Sequence, residues 1–227
     1  MLEERMENNR VCLEGKIASG FSYSHEMYGE KFYRTDILVC RASDFKDSIP
    51  VMVSQKLVDM DGAHLSDYIG CDVKVIGQFR SYNKHEEEKR RLELFVFVQE
   101  FSFQEEECRG CEHNNQIFLR GYLCKPPVYR RTPKGKKIAD ILLAVNRPYG
   151  KSDYIPCIVW GRNAVLAARL KVGSAVRVSG RIQSREYTKV LSDEESETRV
   201  AYEVSAQVLE MGTEVEEINH EDTNCQA

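Results

Sequence analysis

The chain repeats itself. Asn8–Gly15 reads NNRVCLEG and Asn114–Gly121 reads NNQIFLRG, 106 residues apart. Ile49-Pro50 and Ile155-Pro156 keep that spacing, Asp36-Ile37-Leu38 and Asp140-Ile141-Leu142 stand 104 apart, and Gly70 and Gly77 precede Gly173 and Gly180 by 103. Offsets that drift by a residue or two between matched segments are what loop insertions and deletions produce. A period of about 100 residues is too long for a stacked solenoid unit. A chain of 227 residues has room for two domains of that size. It is read as two copies of one fold.

Each copy gives the same order of elements. In the second, Gln116–Leu123 alternates apolar and polar side chains and is predicted to be strand one. The stretch CKPPVYRRTPKGK is rich in proline and basic residues and reads as an exposed connection. Ile138–Asn146 and Tyr154–Trp160 are strands two and three. A helix is predicted over Ala164–Leu170, with Asn163 as its N-cap. Ala175–Ser184 and Thr198–Leu209 are strands four and five. The first copy follows with Val11–Ile17, Phe32–Cys40, Ile49–Val53, a short helix near Leu65–Tyr68, Val73–Phe79 and Leu92–Phe101. Five strands with a helix between the third and fourth is the order of the OB-fold, a Greek-key barrel that binds oligonucleotides or oligosaccharides. The fold class is all-β with short helices, as two tandem barrels at 10–104 and 115–212. A disordered N-terminus (1–9), an acidic linker (105–114) and a disordered acidic tail (213–227) complete the division.

Charge separates the two copies. The whole chain carries a net −4, yet Gln116–Ser192 holds 16 Lys and Arg against 3 Asp and Glu, a net of +13. The phosphate backbone of a nucleic acid is the usual partner of such a patch. A cationic face balanced by the acidic tail is the alternative. The charged start MLEERMENN lacks the apolar core of a signal peptide, and no stretch approaches the ~18 apolar residues of a membrane span. Eight scattered cysteines suit a reducing compartment, so a cytoplasmic protein with no membrane partner is expected.

Aromatics are interleaved with these cations. In DYIPCIVWGRNA, Tyr154 and Trp160 share a strand face with Pro156 and Ile158, while Ile155, Cys157 and Val159 take the other. Arg177, Arg181 and Arg185 recur every fourth residue on strand four, and Tyr187 shares their parity. Tyr149 follows Arg147, and Tyr129 stands beside Arg130 and Arg131. Lys134, Lys136, Arg162 and Lys189 extend the cationic set. Single-stranded nucleic acid needs both components, cations for phosphates and flat rings for unpaired bases. Duplex readers need a helix or ribbon shaped for a groove, and none is evident. Core packing is the competing role for the aromatics.

The second copy, from NNQIFLRGYL through TPKGKKIADILLAVNR, DYIPCIVWGRNA, LKVGSAVRVSGRIQSREY and AYEVSAQVLEMG, resembles a bacterial single-stranded DNA-binding protein over about 100 residues. The resemblance implies that Tyr154, Trp160 and Tyr187 stack on bases, with Tyr149 in a shorter loop. It also implies four OB domains per assembly, here a homodimer of two-domain chains, for which the strand-one edges are the expected pairing surface. The chain departs from the family pattern in its extra copy, in an acidic tail without a large apolar last residue, and in lacking a long glycine- or glutamine-rich linker.

In the first copy Ser48 and Ser54 stand where Tyr154 and Trp160 do, and neither can stack. That copy is read mainly as an assembly or support domain that contacts the flank of the strand; two equivalent binding domains is the alternative. Cys108-Arg-Gly-Cys111 is one pair where a closed zinc site needs four ligands, so no metal or other cofactor is expected. The five histidines are scattered, with no nucleophile or phosphate-loop pattern, and an enzyme is not expected. Two functions follow: binding and protecting single-stranded DNA in replication, recombination or repair, or an accessory scaffold of the primosome or replisome. Replication or repair proteins are possible partners in either case.

Overall fold

Alternation of apolar and polar side chains governs nearly all of the structure, a computed structural model that describes residues 8–58, 67–86, 89–104, 114–190 and 196–212. The first half folds into β1 (Asn9–Ile17), β2 (Ser22–Met27), β3 (Glu30–Cys40), β4 (Lys46–Ser54), β5 (Asp72–Glu86) and β6 (Lys89–Phe103). The second repeats it as β7 (Asn115–Leu123), β8 (Val128–Arg131), β9 (Lys137–Asn146), β10 (Ser152–Trp160), β11 (Ala175–Val190) and β12 (Ser196–Met211), with helix α1 (Gly161–Ala167) after β10. All twelve strands form one sheet in the order β2-β3-β4-β6-β5-β1-β7-β11-β12-β10-β9-β8. Read outward from β1 and β7, the two halves of that order are the same. Each half curls on itself through β1–β3 or β7–β9 and contains one parallel pair, β4–β6 or β10–β12. These are two tandem OB-fold barrels.

The inward parity of each strand fills its barrel. Val11, Leu13, Val75 and Phe79 are fully buried in the first, and Leu119, Ile155, Val159, Val178 and Ile182 in the second. Several boundaries differ from the sequence-based expectation. Strand β1 begins at Asn9, whose side chain is buried, so order starts inside the segment expected to be disordered. The proline-rich connection contains β8, which pairs with β9 from Val128↔Asp140 to Arg131↔Lys137. Helix α1 starts earlier than predicted because Gly161, with φ +62°, turns the chain directly after Trp160. Asn163 is then not a cap; its amide donates to the carbonyl of Gln207 at 3.1 Å. The helix expected near Leu65–Tyr68 begins outside the described residues, and Asp67–Gly70 form a turn. Residues 105–113, with Cys108 and Cys111, and the tail 213–227 lie outside them too. No helix among the described residues is long and apolar enough to cross a membrane.

The repeated Asn-Asn pair explains how the copies are joined. Strands β1 and β7 pair antiparallel, from Asn9↔Leu119 to Leu13↔Asn115. The strand-one edges expected to pair between chains are therefore used within one chain. Asn9 bridges across to β5, its amide donating to the Phe79 carbonyl at 2.8 Å while its oxygen accepts the Phe79 N–H at 2.9 Å. Asn115 does the same to Ile182 at 2.8 and 2.9 Å. The preceding asparagines reach the other copy: Asn8 donates to the Asn146 carbonyl at 2.6 Å and Asn114 to that of Cys40 at 2.7 Å. The junction has near two-fold symmetry.

Two buried carboxylates complete it. Asp47 accepts the Arg41 guanidinium through two bonds of 2.6 Å and, from the other domain, the N–H and hydroxyl of Ser184 at 2.7 and 3.1 Å. Its counterpart Asp153 holds Arg147, bonded at 2.6 Å to Oδ2 and also to Oδ1, and accepts the Ser81 N–H at 2.5 Å. Arg80 of the first domain adds a longer contact to Asp153, 3.4 Å.

Candidate nucleic-acid interface

Outward-facing residues of the second barrel line up in register across five strands. Paired residues of adjacent strands share a face, so Val128, Asp140, Ile158, Ser205 and Arg181 form one row from β8 through β9, β10 and β12 to β11. The next row holds Arg130, Ile138 and Trp160. Further along β10 the same face shows Tyr154, and along β11 it shows Gln183, Arg185 and Tyr187. Tyr154, Trp160 and Tyr187 are 43%, 37% and 38% exposed. Trp160 is fixed at one edge by its indole N–H, which donates to Ser205 Oγ at 3.1 Å. Its neighbours Ile155 and Val159 are wholly inside. This is a sheet face with rings outside and aliphatics within.

The structure divides the expected cations into two groups. Arg131, Lys134, Lys136, Arg162 and Arg185 are exposed, and Arg177 is half-buried on the same outward parity. Arg130 is exposed but engages Asp140 at 2.6 and 3.1 Å, and that carboxylate raises its pKa. Arg147 and Arg181 differ from the expectation of open phosphate contacts. Arg147 is committed to buried Asp153 and donates to the Ser81 carbonyl at 2.9 Å. Arg181 is tucked against the first domain, where burial and then the neighbouring Arg41 pull its pKa down against the opposing effect of Asp47. Periodicity along one strand carries no information about a second domain packing over part of its face. The side chains of Tyr149 and Lys189 lie outside the described ones; Tyr149 falls in a single 3-10 turn, Pro148–Gly150.

Two cations enter the site that were not singled out as contacts. Lys137 and Arg169 share a depression of about 600 Å³ with Arg162, walled by Gly161, Val165 and Leu166. It begins at the residue after Trp160. Lys137 ends the basic run KGKK, which was the available signal, whereas no such run surrounds Arg169. Among the described residues no group of three or more His, Cys, Asp or Glu could hold a metal.

The same face of the first barrel is closed. Ser54, at the position of Trp160, is buried and its hydroxyl binds the Glu30 carboxylate, which also takes Lys56 at 2.8 Å. These bonds, that from Lys56 foremost, hold the Glu30 carboxyl below its usual pKa. Nearby, His25 stacks on Phe32 with centroids 5.0 Å apart, and Phe32 lies 5.8 Å from Phe97. Arg34 pairs with Glu93 at 2.7 Å and covers Phe95. The rings here are occupied with one another.

Comparison with known proteins divides the chain in the same way. Residues 114–212 match the model of the Single-strand binding protein family. That match covers the second domain, less than half of the chain. A single-stranded DNA-binding protein of Halalkalibacterium halodurans is 42% identical over 80 residues, 32% of this chain and 48% of that protein. Single-stranded DNA-binding protein A of Bacillus subtilis is 41% identical over 80 residues, 32% of this chain and 46% of that protein. The chain thus spans about half the length of the curated relatives it matches. The fold of both domains together is that of the wild-type single-stranded DNA binding protein from Thermus aquaticus, with a TM-score of 0.71 over 90% of this chain and 93% of that one at 22% identity.

Proposed function

We propose that the protein binds and protects single-stranded DNA in replication, recombination or repair. Bases stack on Tyr154, Trp160 and Tyr187, with Tyr149 beside them. Phosphates follow Arg131, Lys134, Lys136, Arg162, Arg177, Arg185 and Lys189, with Arg130 at the β8 edge. Arg147 and Arg181 shape the surface from the domain junction. The observation that carries this reading is the uninterrupted outward face of β8, β9, β10, β12 and β11, which combines exposed rings with unburied cations in the domain that matches the single-strand binding protein family model. Exposed rings accept any unpaired base at about 1–3 kcal/mol each, and cations add a salt-sensitive, sequence-independent term. A cytoplasmic, nucleoid-associated location and contacts with replication or repair proteins belong to the same reading.

A homodimer with four barrels is also part of the proposal, its interface formed away from the β1 and β7 edges that already pair with each other. The test is a titration with oligo-dT and with a duplex of equal length, read by tryptophan quenching. Affinity for the single strand is expected to exceed that for duplex and to fall with salt at a log–log slope of about −0.7 per phosphate contact. A slope near zero would remove the electrostatic basis. Light scattering on the same sample is expected to give about twice the 26.1 kDa chain mass; a monomer at micromolar concentration refutes the dimer.

A further inference from the structure

The two ends of the pseudo-symmetric junction are built alike but surfaced differently. At the first end, buried Asp47 ties Arg41 to Ser184 of the other domain. The surface beside this tie is a groove of about 740 Å³ to which the first domain contributes Ser48, Phe45 and Lys46 and the second Arg185. At the second end, Asp153 ties Arg147 to Ser81, and the Tyr154 N–H donates to Ser81 Oγ at 2.8 Å. The repeat offsets of 106 and 103 that relate Asp47 to Asp153 and Ser184 to Ser81 also relate Ser48 to Tyr154 and Arg185 to Tyr82. The positions that hold a serine and an arginine together at one end hold two tyrosines at the other. Tyr154 comes from the second domain and Tyr82 from the first.

Both rings are open to solvent, Tyr82 at 56% and Tyr154 at 43%. The charge around them suits a phosphate. Arg80 and Arg147 share the single carboxylate of Asp153, which leaves one surplus positive charge at this end. Glu93, opposite Tyr82 on β6, is neutralised by Arg34 at 2.7 Å. The loss of stacking residues from the face of the first barrel thus does not extend to its junction edge.

We infer that Tyr82 is a base-stacking residue, and that the first domain thereby completes the strand path of the second through a composite two-ring site with Tyr154. This rests on the single-stranded DNA reading. The strand leaves the β10 face at Tyr154 and crosses the junction onto β5.

Three proteins, wild type, Trp160→Ala and Tyr82→Ala, are titrated with long oligo-dT, with Tyr82→Phe as the variant that keeps the ring. Tyr82→Ala is expected to lose at least about fivefold in affinity, the low end of a base–aromatic contact, and Tyr82→Phe to bind like wild type. Photo-crosslinking of wild type to an iododeoxyuridine oligomer, which needs no folded variant, is expected to place an adduct on Tyr82. Unchanged affinity of Tyr82→Ala alongside a weakened Trp160→Ala, or adducts at Tyr154 and Trp160 with none at Tyr82, would overturn the composite site and leave the function standing. If wild type binds no single strand, the functional reading falls, and this inference with it.

Discussion

Trp160 is open on its face and anchored at its edge. The indole N–H is taken by Ser205, while the six-residue spacing from Tyr154 keeps both rings outside the barrel. Replacing it with alanine is expected to weaken oligo-dT binding by about 1–3 kcal/mol. Stability should suffer less than the roughly 3–5 kcal/mol that loss of an interior aromatic costs, since only the hydrogen bond and part of one ring face are given up. The decisive comparison is melting temperature and affinity on the same variant. A large drop in melting temperature with unchanged affinity would place Trp160 in the core. Ser54→Ala makes the matching change in the first domain. It removes a buried hydroxyl bonded to Glu30, so a stability loss of about 1 kcal/mol with unaltered DNA affinity is expected.

At the scale of the element, β11 and β5 owe their shape to the glycines conserved between the two copies. The β11–β12 register shifts between Ser179 and Gly180, and the β5–β6 register between Ile76 and Gly77. A Cβ at Gly180 would lie 2.1 Å from the Ser205 carbonyl oxygen, and at Gly77 2.2 Å from that of Phe97. The strands approach too closely there for any side chain, and such irregularities re-aim the residues that follow. The extra residue, Gln207, lies on β12 beside Ala206 and Ser205, the latter being the partner of the Trp160 indole. Gly180→Ala is therefore expected to destabilise by at least about 2 kcal/mol, as strained substitutions do, and to weaken DNA binding in the protein that remains folded. Denaturant unfolding with a parallel oligo-dT titration checks both. A variant as stable as wild type would show that the bulge can relax.

For the whole molecule, the two barrels are predicted to melt as one. The continuous sheet through β1 and β7 and the two carboxylate ties give them a common interior at the junction. Removing Asp153 strands Arg147 and Arg80 beside a buried site without their counter-charge, a change that costs on the order of 3 kcal/mol. Asp47→Ala does the same to Arg41. Calorimetry of wild type should show a single transition, and the double variant Asp47→Ala, Asp153→Ala two. Two transitions in wild type would mean that the junction is weaker than its hydrogen bonds suggest.

Five strands of each copy, the barrel interior and the outward set of Tyr154, Trp160 and Tyr187 were legible in the amino-acid sequence, because a strand exposes its parity to any reader who knows its period; the edge strands β2 and β8 were not. The repeat offsets likewise determined two copies, and the serines at positions 48 and 54 determined that the face of the first barrel would lack rings at those two positions. Tertiary structure alone decided which cations remain free. Arg147 and Arg181 have the spacing of phosphate contacts, but carboxylates and a domain brought from about 100 residues away claim or cover them. It also decided that the first strands pair within the chain, and that Tyr82 comes to stand at the edge beside Tyr154. Periodicity is a local property of the backbone, whereas partners at a junction depend on long-range closure of the sheet.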